Sequence, residues 1–491
     1  MKKLLLLLPL LTLAATSLAQ VKKSTPNVIL IFMDDMGYGD LGVTGALQYH
    51  TPVLDALANN GLRFTDFTVP QAVCSASRSA LLTGNYPNRM GIQGAYMPNA
   101  GLGLAPEEYT LAELMQDQGY TTQMIGKWHL GNEPQFLPTN QGFSAYFGLP
   151  YSNDMWPVEF DGTPAKKDSP YAKYPALPLL SMEVGQVVPD TVQIIETLDD
   201  QAALTGLYTD KAVDFIRENR KSPFFLYLAH SMTHVPIAAS ETFKGQSEQG
   251  VFGDVMMEVD HAIGRIISEL KKHNLEENTL VIFTSDNGPW LNFGNHNGSS
   301  GGFREGKGAS WEGGVRVPCI ISWPAKIHEP TVNNNLVSSM DIFATIAEIL
   351  GNPKTPHQVD GISFLNQLGD PLAAADRKSL YYYYNRNDLE AVRFENWKLV
   401  FPHTYRSYED VLPGNDGFPG KYNHKQVEAM ELYDLRRDPA ERYNVIQQHP
   451  QVLEKLLEIA DEARNDLGDN LQKQEGKNRR PVGRIIRGEE K

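Results

Sequence analysis

The chain has few cysteines, no surplus of positive charge and only one long hydrophobic run, and each shortage excludes a class of protein. With 2 cysteines in 491 residues, at most one disulfide can form, so a disulfide-stapled scaffold is excluded. The formal net charge of -15 argues against a general basic surface, and we expect no nucleic-acid partner. Beyond the N-terminus no apolar segment is long enough to span a bilayer, so we expect no stable membrane anchor.

The one long hydrophobic run is typical of a secretory signal peptide. Two lysines precede an apolar segment from residue 4 to residue 13, and Ser17 and Ala19 give a small-x-small cleavage pattern. We predict that residues 1–19 are removed. The mature protein is then expected to be exported, either to the periplasm or as a secreted protein.

Short apolar runs with strand character alternate with helical patterns along most of the chain. Strands separated by helices predict an α/β fold with a mainly parallel sheet that is flanked by helices. The clearest predicted strands are Val28–Met33, Thr121–Ile125, Phe224–Ala229 and Leu280–Thr284. The predicted helices are Pro52–Asn60, Thr110–Gln118, Tyr208–Arg220, Asp254–His273 and Met340–Leu350.

A turn-rich stretch at about 351–377 predicts a domain boundary. We assign residues 25–375 to a larger N-terminal domain and residues 376–491 to a smaller C-terminal α+β domain with a mobile tail. Segment 150–200, which is rich in Pro, Ser and Asp, is predicted to be a long excursion near the functional site. The predicted C-terminal elements are three strands and one helix: Leu380–Tyr384, Leu389–Arg393, Lys398–Phe401 and Val452–Leu467.

Polar side chains follow each of the four clearest predicted strands. In open α/β sheets the carboxyl ends of the strands form the site, so these side chains should meet at one edge. Carboxylate and amide oxygens suit Ca²⁺ or Mg²⁺, lysine and arginine neutralise a sulfate or phosphate, and histidine carries protons near neutral pH. The side chains in question are Asp34 and Asp35, Lys127 and His129, His230 and His234, and Asp286 and Asn287.

Cys74 begins the run Cys74-Ser75-Ala76-Ser77-Arg78 at the start of a predicted helix, where backbone amides favour negative charge. A lone cysteine is most often a small buried residue. Cys319 lies in an apolar strand-like run and is expected to be such a core thiol. A disulfide between the two cysteines is the competing explanation for both.

The run from Cys74 to Arg78 and the segment Gly119–His129 resemble the two signatures of the type I, formylglycine-dependent sulfatases. The resemblance covers residues 26–444, and it is strongest to the branch of arylsulfatase A and N-acetylgalactosamine-6-sulfatase. The chain has Ala76 where the commonest signature has proline, and Asn153 where many relatives have histidine.

The resemblance implies an alkaline-phosphatase-like fold, with residues 25–375 as the catalytic domain, and a sulfatase-maturing enzyme that oxidises Cys74 to formylglycine. The hydrated aldehyde would attack sulfur, Asp286 would accept its proton, and His234 or Lys307 would protonate the leaving alcohol. His129 would take the proton of the second hydroxyl when sulfate is expelled. The implied ligands of one Ca²⁺ are Asp34, Asp35, Asp286, Asn287 and the modified Cys74. The implied pocket comprises catalytic residues Cys74, Arg78, Lys127, His129, His234 and Lys307, with Ser152 binding substrate.

An exported sulfatase would meet sulfated carbohydrates, which we expect as substrates. Residues that select the sugar are expected in segment 150–200 and in Trp290–Arg304, where His296 is a candidate sugar contact. Two alternatives stay open: a phosphatase or phosphonate monoester hydrolase on the same fold, and an inactive homologue that binds sulfated glycans. Phosphonate hydrolases tend to have histidine at the position of Asn287.

Overall fold

The computed structural model describes residues 25–370 and 372–485, so the predicted signal peptide lies outside the described residues. None of the described helices is both long and apolar enough to cross a membrane. The described residues include nine α-helices: α1 (Pro52–Asn60), α2 (Cys74–Thr83), α3 (Leu111–Asp117), α4 (Leu198–Asn219), α5 (Val251–Lys272), α6 (Glu312–Val315), α7 (Asp341–Ile349), α8 (Leu365–Gly369) and α9 (Pro450–Leu467).

The strands fall into one large sheet, one four-stranded sheet and several short pairs. In chain order they are β1 (Asn27–Met33), β2 (Leu62–Phe64), β3 (Phe67–Thr68), β4 (Leu102–Gly103), β5 (Thr121–Gly126), β6 (Ala145–Gly148), β7 (Leu177–Glu183), β8 (Asp190–Ile195), β9 (Phe224–Ala229), β10 (Thr279–Ser285), β11 (Cys319–Ser322), β12 (Thr331–Asn333), β13 (Val337–Ser338), β14 (Ser379–Tyr384), β15 (Asp388–Phe394), β16 (Trp397–Val400), β17 (Thr404–Ser407), β18 (Asn423–Gln426), β19 (Glu431–Asp434), β20 (Gly468–Asp469), β21 (Gln474–Glu475) and β22 (Gly483–Arg484).

The large sheet has ten strands in the order β12-β2-β11-β10-β1-β9-β5-β6-β7-β8. Its five central strands, from β10 to β6, are parallel. Antiparallel strands extend this centre on both sides, through β11 and β2 on one side and β7 and β8 on the other. The predicted mixed, mainly parallel sheet is therefore confirmed.

Strand β1 shows why the central strands are continuously apolar. Leu30 and Phe32 face the core that contains α2, α3 and α7, whereas Ile29 and Ile31 face the core that contains α1, α4 and α5. All four side chains are fully buried. Successive residues of a strand point to opposite faces, so a sheet covered by helices on both faces needs apolar residues at every position.

The smaller part of the molecule has an antiparallel sheet in the order β14-β15-β16-β19, packed against α9. It confirms the predicted C-terminal α+β region. A buried ion network joins this sheet to the larger part: the Lys398 ammonium lies 3.0 Å from Glu312 Oε1 and 2.8 Å from Glu441 Oε1. Arg393 of β15 donates to Asp66 at 2.8 Å through Nη1.

The structure corrects three sequence-based expectations. Segment 150–200 is not only an irregular excursion, because it supplies the β7–β8 hairpin at the edge of the large sheet. Helix α4 begins at Leu198, ten residues before the predicted start, after a capping box made by Thr197 and Asp200. The tail is bound as far as Ile485: β22 pairs with β4, and Ile485 N donates to the carbonyl of Gly101.

Candidate active site

The polar residues that follow the central strands meet at one edge of the sheet. Asp34 and Asp35 follow β1, and Asp286 follows the neighbouring strand β10. The backbone amide of Asp35 donates to Asp286 Oδ1 at 3.1 Å, which fixes the two strand ends together. His234 joins them from the loop after β9, with Nε2 3.6 Å from Asp35 Oδ2.

Cys74 is the first residue of α2, and the extended Val73 precedes it. Its Sγ atom lies 3.6 Å from Asp34 Oδ1. Four potential ligand atoms lie within 4.8 Å of one another, one each from Cys74, Asp34, Asp35 and His234. Burial raises the pKa of the Cys74 thiol far above its usual value. The thiol is therefore protonated, unlike the thiolate nucleophiles of cysteine hydrolases.

Three buried cations pair with the three carboxylates. Arg78 holds Asp286 Oδ2 through Nε at 3.1 Å and Nη2 at 2.8 Å, and its Nη1 donates to the carbonyl of Lys127 at 2.9 Å. The Lys127 ammonium lies 2.5 Å from Asp34 Oδ2. The Lys307 ammonium lies 2.7 Å from Asp35 Oδ1 and 2.8 Å from Oδ2. The pocket thus places three fixed positive charges around residue 74.

The carboxylates are under electrostatic strain that a divalent cation would relieve. Burial, together with the charge of Asp34, raises the pKa of Asp286 to about 7. Burial also raises the pKa of Asp35. At Asp34 the charges of Lys127 and Arg78 outweigh burial and hold its pKa well below the usual value. Asn287 donates to Asp35 Oδ1 at 2.7 Å, and its own Oδ1 is buried without a partner among the described residues. Hard oxygen donors with an unused amide oxygen fit Ca²⁺ or Mg²⁺.

The hydrogen bonds of the two site histidines define their free nitrogens. His129 Nε2 lies 2.9 Å from the carbonyl of Tyr96 and must donate to it, which leaves Nδ1 buried and without a partner in the described part of the chain. His234 Nδ1 donates to its neighbour's carbonyl, that of Val235, at 2.6 Å, so Nε2 is the nitrogen that faces the carboxylates. Burial and the nearby lysines lower the pKa of both imidazoles. Each neutral ring offers a lone pair to the pocket.

Comparison with known proteins accounts for this arrangement. The sulfatase family profile matches residues 26–352, and that of the C-terminal region of aryl-sulfatase matches residues 375–484. A third profile, the C-terminal part of N-sulphoglucosamine sulphohydrolase, matches residues 305–410.

The chain belongs to the sulfatase family.

Curated relatives support the assignment over almost the whole length. Human arylsulfatase A is 39% identical over 453 residues, covering 88% of this chain and 87% of its own. Mouse N-acetylgalactosamine-6-sulfatase is 37% identical over 473 residues, covering 90% and 85%. The crystal structure of the PsFucS1 sulfatase from Pseudoalteromonas sp. superposes with a TM-score of 0.79 at 28% identity, covering 89% of this chain and 90% of its own. The protein is therefore a sulfuric ester hydrolase with the alkaline-phosphatase-like fold.

One solved structure bears on the phosphonate alternative. A phosphonate monoester hydrolase from Silicibacter pomeroyi has a TM-score of 0.59 at 16% identity, covering 89% of this chain and 94% of its own. At that identity the likeness concerns the fold alone.

The sulfatase structure brings together all of the site residues predicted from the sequence except His230 and His296. The His230 ring packs against Tyr208, and neither of its nitrogens has a partner among the described residues. Ser152 belongs to the pocket, because its Oγ accepts a hydrogen bond from Lys127 at 3.0 Å. His296 ends a 3-10 helix (Leu291–His296), and a Cβ built on Gly417 would lie 3.3 Å from its Nδ1. No contact joins His296 to the acidic cluster within the described residues, so its role as a sugar contact stays a prediction.

The second cysteine lies apart from this site. Cys319 is on β11, paired with Thr284 of β10, and it is fully buried in the core. Both cysteines are free thiols in the structure, which excludes the disulfide alternative.

Asn153 has a role that the sequence did not show. Its Nδ2 donates to the backbone carbonyls of His234 and Pro236, both at 3.2 Å. The backbone carbonyl of Asn153 accepts a hydrogen bond from Gln201 Nε2. The asparagine therefore holds the backbone of the His234 loop. The sequence marked Asn153 only as a departure from its relatives. The fold brings this residue against His234, which lies 81 positions later in the chain.

The wall of the pocket next to Lys307 contains Trp290, the first residue of a segment predicted to select the sugar, and two tyrosines that the sequence did not single out. The Trp290 ring lies 4.3 Å from the Lys307 ammonium and 5.4 Å from the His234 ring, measured between centroids for the two rings. Trp290 Nε1 donates to the Tyr422 hydroxyl, and Tyr408 donates to the carbonyl of Lys307 at 2.6 Å. Both tyrosines come from the segment that joins β17 to β18, so the smaller domain completes the site.

Proposed function

We propose that this sulfatase hydrolyses sulfate monoesters of carbohydrates, with a formylglycine made from Cys74 and one bound Ca²⁺. The observation that carries the proposal is the position of Cys74. It is buried at the start of α2, beside Asp34, within a ring of three cations. A protonated, enclosed thiol has no nucleophilic role there, whereas a modified residue at the same position would face a bound sulfate.

The proposed calcium ligands are Asp34, Asp35, Asp286, Asn287 and the modified residue 74. The first four offer hard oxygens on two adjacent strand ends, and Asn287 Oδ1 has no other partner among the described residues. When bound, the ion would supply positive charge to the sulfate oxygens, and the formylglycine hydrate would supply the attacking oxygen.

The remaining groups have separate tasks in the proposal. Arg78, Lys127 and Lys307 hold the sulfate oxygens and stabilise the charge that grows on them during transfer. Asp286, whose carboxylate Arg78 holds, is the proposed proton acceptor beside residue 74. His129 Nδ1, buried and unpartnered in the described structure, is positioned to take a second proton.

The leaving alcohol lies on the side of His234 and Lys307 in this proposal. Burial would lower the pKa of Lys307, but Asp35 and the other charges around it raise that pKa well above the usual value. The ammonium therefore carries a proton at neutral pH, whereas His234 Nε2 offers a lone pair. Lys307 is accordingly our preferred proton donor to the leaving oxygen, and His234 Nε2 can accept a hydrogen bond from the alcohol that forms.

The proposal extends to substrate, maturation and location. One curated relative is named for a sulfated sugar, N-acetylgalactosamine 6-sulfate, and this supports a carbohydrate substrate. We further propose that a sulfatase-maturing enzyme converts Cys74, that the protein is exported after removal of residues 1–19, and that the catalytic domain covers residues 25–375 and the smaller domain residues 376–491.

The modification can be read directly from one peptide. Trypsin should release residues 64–78, which contain no other cysteine, and its mass distinguishes a thiol from an aldehyde. We expect the aldehyde in active protein, and loss of sulfate release in Cys74→Ala. Cys319→Ala, which removes the other buried thiol, is the matched control and should keep the activity. An intact Cys74 thiol in fully active enzyme would refute the modification.

The choice of ester is tested separately. Sulfate release from a panel of desalted sulfated oligosaccharides should exceed phosphate release from the matched phosphate esters. A faster rate on the phosphate esters would favour the phosphatase alternative. Tight binding of sulfated glycans without turnover would favour the inactive homologue.

A further inference from the structure

We propose that Arg406 binds a second anionic group of the substrate, a sulfate or a carboxylate on the sugar next to the ester that is cleaved. This inference rests on the proposed function, because it places the sugar on the leaving-group side of the pocket. Arg406 lies on β17 in the smaller domain. None of the notable sequence motifs includes it.

The surroundings of Arg406 differ from those of the fully buried arginines, although Arg406 shares the lack of a carboxylate partner with Arg304. Arg78, Arg377 and Arg393 each pair with an aspartate. Within the described residues no carboxylate lies within 4.0 Å of Arg406. Burial would lower the pKa of its guanidinium, and the groups that raise it are tyrosine hydroxyls, first that of Tyr422.

Arg406 is partly buried, so its guanidinium loses some of its hydration and no counter-ion replaces what is lost. The Arg406 guanidinium is held by aromatic contact instead, with Cζ 4.1 Å from the centroid of the Tyr422 ring. Such a contact keeps the N–H donors of the guanidinium edge available. The arrangement is that of a preformed site for an oxyanion.

Arg406 lies close to the proposed proton donor, Lys307. A Cβ built on Gly308 would lie 2.9 Å from Arg406 Nη1, so the guanidinium rests against the backbone directly after Lys307. Gly308 has a φ of +85°, and a larger residue would be both strained and in collision with Arg406. Tyr422, which stacks under Arg406, also accepts the hydrogen bond of Trp290.

These contacts form a continuous wall from the proton donor to the unpaired cation. Trp290 lies against Lys307 and His234, Tyr422 follows Trp290, and Arg406 follows Tyr422. We infer that a sugar whose ester oxygen lies near Lys307 extends along this wall, which brings its further substituents towards Arg406. A planar guanidinium prefers a sulfate or carboxylate that accepts two hydrogen bonds.

The test compares four substrates. One is p-nitrophenyl sulfate, and the other three share one cleaved sugar sulfate ester: a monosulfated disaccharide, the same disaccharide with a second sulfate, and its counterpart with a uronate. The unaltered enzyme should favour one doubly anionic disaccharide over the monosulfated one by at least about tenfold in kcat/KM, mainly through KM. The favoured compound identifies the anion as sulfate or carboxylate.

Arg406→Gln should abolish this preference while p-nitrophenyl sulfate is cleaved at the original rate. Arg406→Lys should keep only part of the preference, because lysine lacks the planar fork. Arg437→Gln is the matched control, since Arg437 is 87% exposed on the same domain, and it should change nothing.

Two outcomes would overturn the inference alone. One is an active enzyme with no preference for a second anion, and the other is a preference that Arg406→Gln leaves intact. A loss in Arg406→Gln that is equal on all four substrates would show a structural role instead and would also overturn it. An unaltered enzyme that cleaves none of the four would contradict the proposed function itself.

Discussion

Lys398 is the centre of the buried network that joins the two parts of the molecule, and its removal should destabilise the fold without touching the catalytic groups. Its ammonium donates to the carbonyl of Ser310 at 2.7 Å and lies 3.0 Å from Glu312 and 2.8 Å from Glu441. All three charged side chains are fully buried. Lys398→Met keeps the length of the side chain and removes only the charge and its donors.

Removal of the Lys398 charge mainly affects Glu441, which is left buried without a counter-ion. Glu312 keeps the guanidinium of Arg316 at 2.5 Å, whereas Lys398 is the only cation within 4.0 Å of the Glu441 carboxylate in the described residues. Breaking a buried pair by removing one partner costs about 3–5 kcal/mol, because the other charge stays buried and unpaired. We expect a loss of that size in the free energy of unfolding.

The loss of unfolding free energy in Lys398→Met should depend on pH. Burial raises the pKa of Glu441 even with Lys398 in place. A group whose pKa is higher in the folded than in the unfolded state stabilises the fold when protonated, and this contribution is lost as pH rises through the folded pKa. Without Lys398 the pKa of Glu441 rises further. Denaturant unfolding should therefore show a larger loss at about pH 8 than at about pH 5.

Two further variants make the test decisive. The double variant Lys398→Met/Glu441→Gln removes both charges and should recover part of the stability that the single variant loses. Lys378→Met removes a half-exposed lysine that lies 3.6 Å from Glu395, and such a surface pair contributes at most about 1 kcal/mol. The reasoning is refuted if Lys398→Met costs no more than Lys378→Met, or if the double variant is less stable than the single one.

Two other predictions concern the site. Chelation of Ca²⁺ should abolish sulfate release and lower the unfolding temperature, because an ion at 100 times its dissociation constant stabilises the fold by about 2.7 kcal/mol. Re-addition of Ca²⁺ should restore both the activity and the unfolding temperature. An unchanged melting curve would contradict the metal site. Asn153→Ala removes the donor to the carbonyls of His234 and Pro236 and should cost about 1–3 kcal/mol of stability, with a fall in kcat on p-nitrophenyl sulfate; an unchanged kcat would show that the His234 loop holds its position without the amide.

The sequence predicted the centre of the fold well because local patterns decide it. The strand Phe224–Ala229 and the helix Pro52–Asn60 are found with the predicted bounds. Buried parallel strands are continuous apolar runs, and the polar residues that end them are adjacent in the chain. Both features can be read in a window of about ten residues.

The edges of the sheet could not be predicted in the same way. Strand β8 is exposed at every residue but Ile195, so it shows no alternation of apolar and polar positions. Helix α4 was predicted too short, although Thr197 and Asp200 carry a capping-box signal at its true start. Hydrophobic patterning finds an element only where one of its faces is buried.

The wall beside Lys307 lay beyond sequence reasoning for a different reason. Trp290 and Tyr422 share a hydrogen bond across 132 positions of the chain. Trp290 begins a segment that was predicted to select the sugar, but no sequence pattern marks Tyr422. The pairing of β17 with β18 sets where the intervening segment lies, and only tertiary structure brings that segment to the pocket.

The complete burial of α2 bears on when the proposed oxidation of Cys74 can take place relative to folding. All ten residues of this helix are buried, and Cys74 is 1% exposed. An enzyme that must grip the chain around Cys74 cannot reach it once the helix has docked under the sheet. If Cys74 is oxidised as proposed, its oxidation would therefore compete in time with folding. A chain that folded first would be trapped as a stable, unmodified protein, so the active fraction of a preparation would report the ratio of two rates rather than an equilibrium.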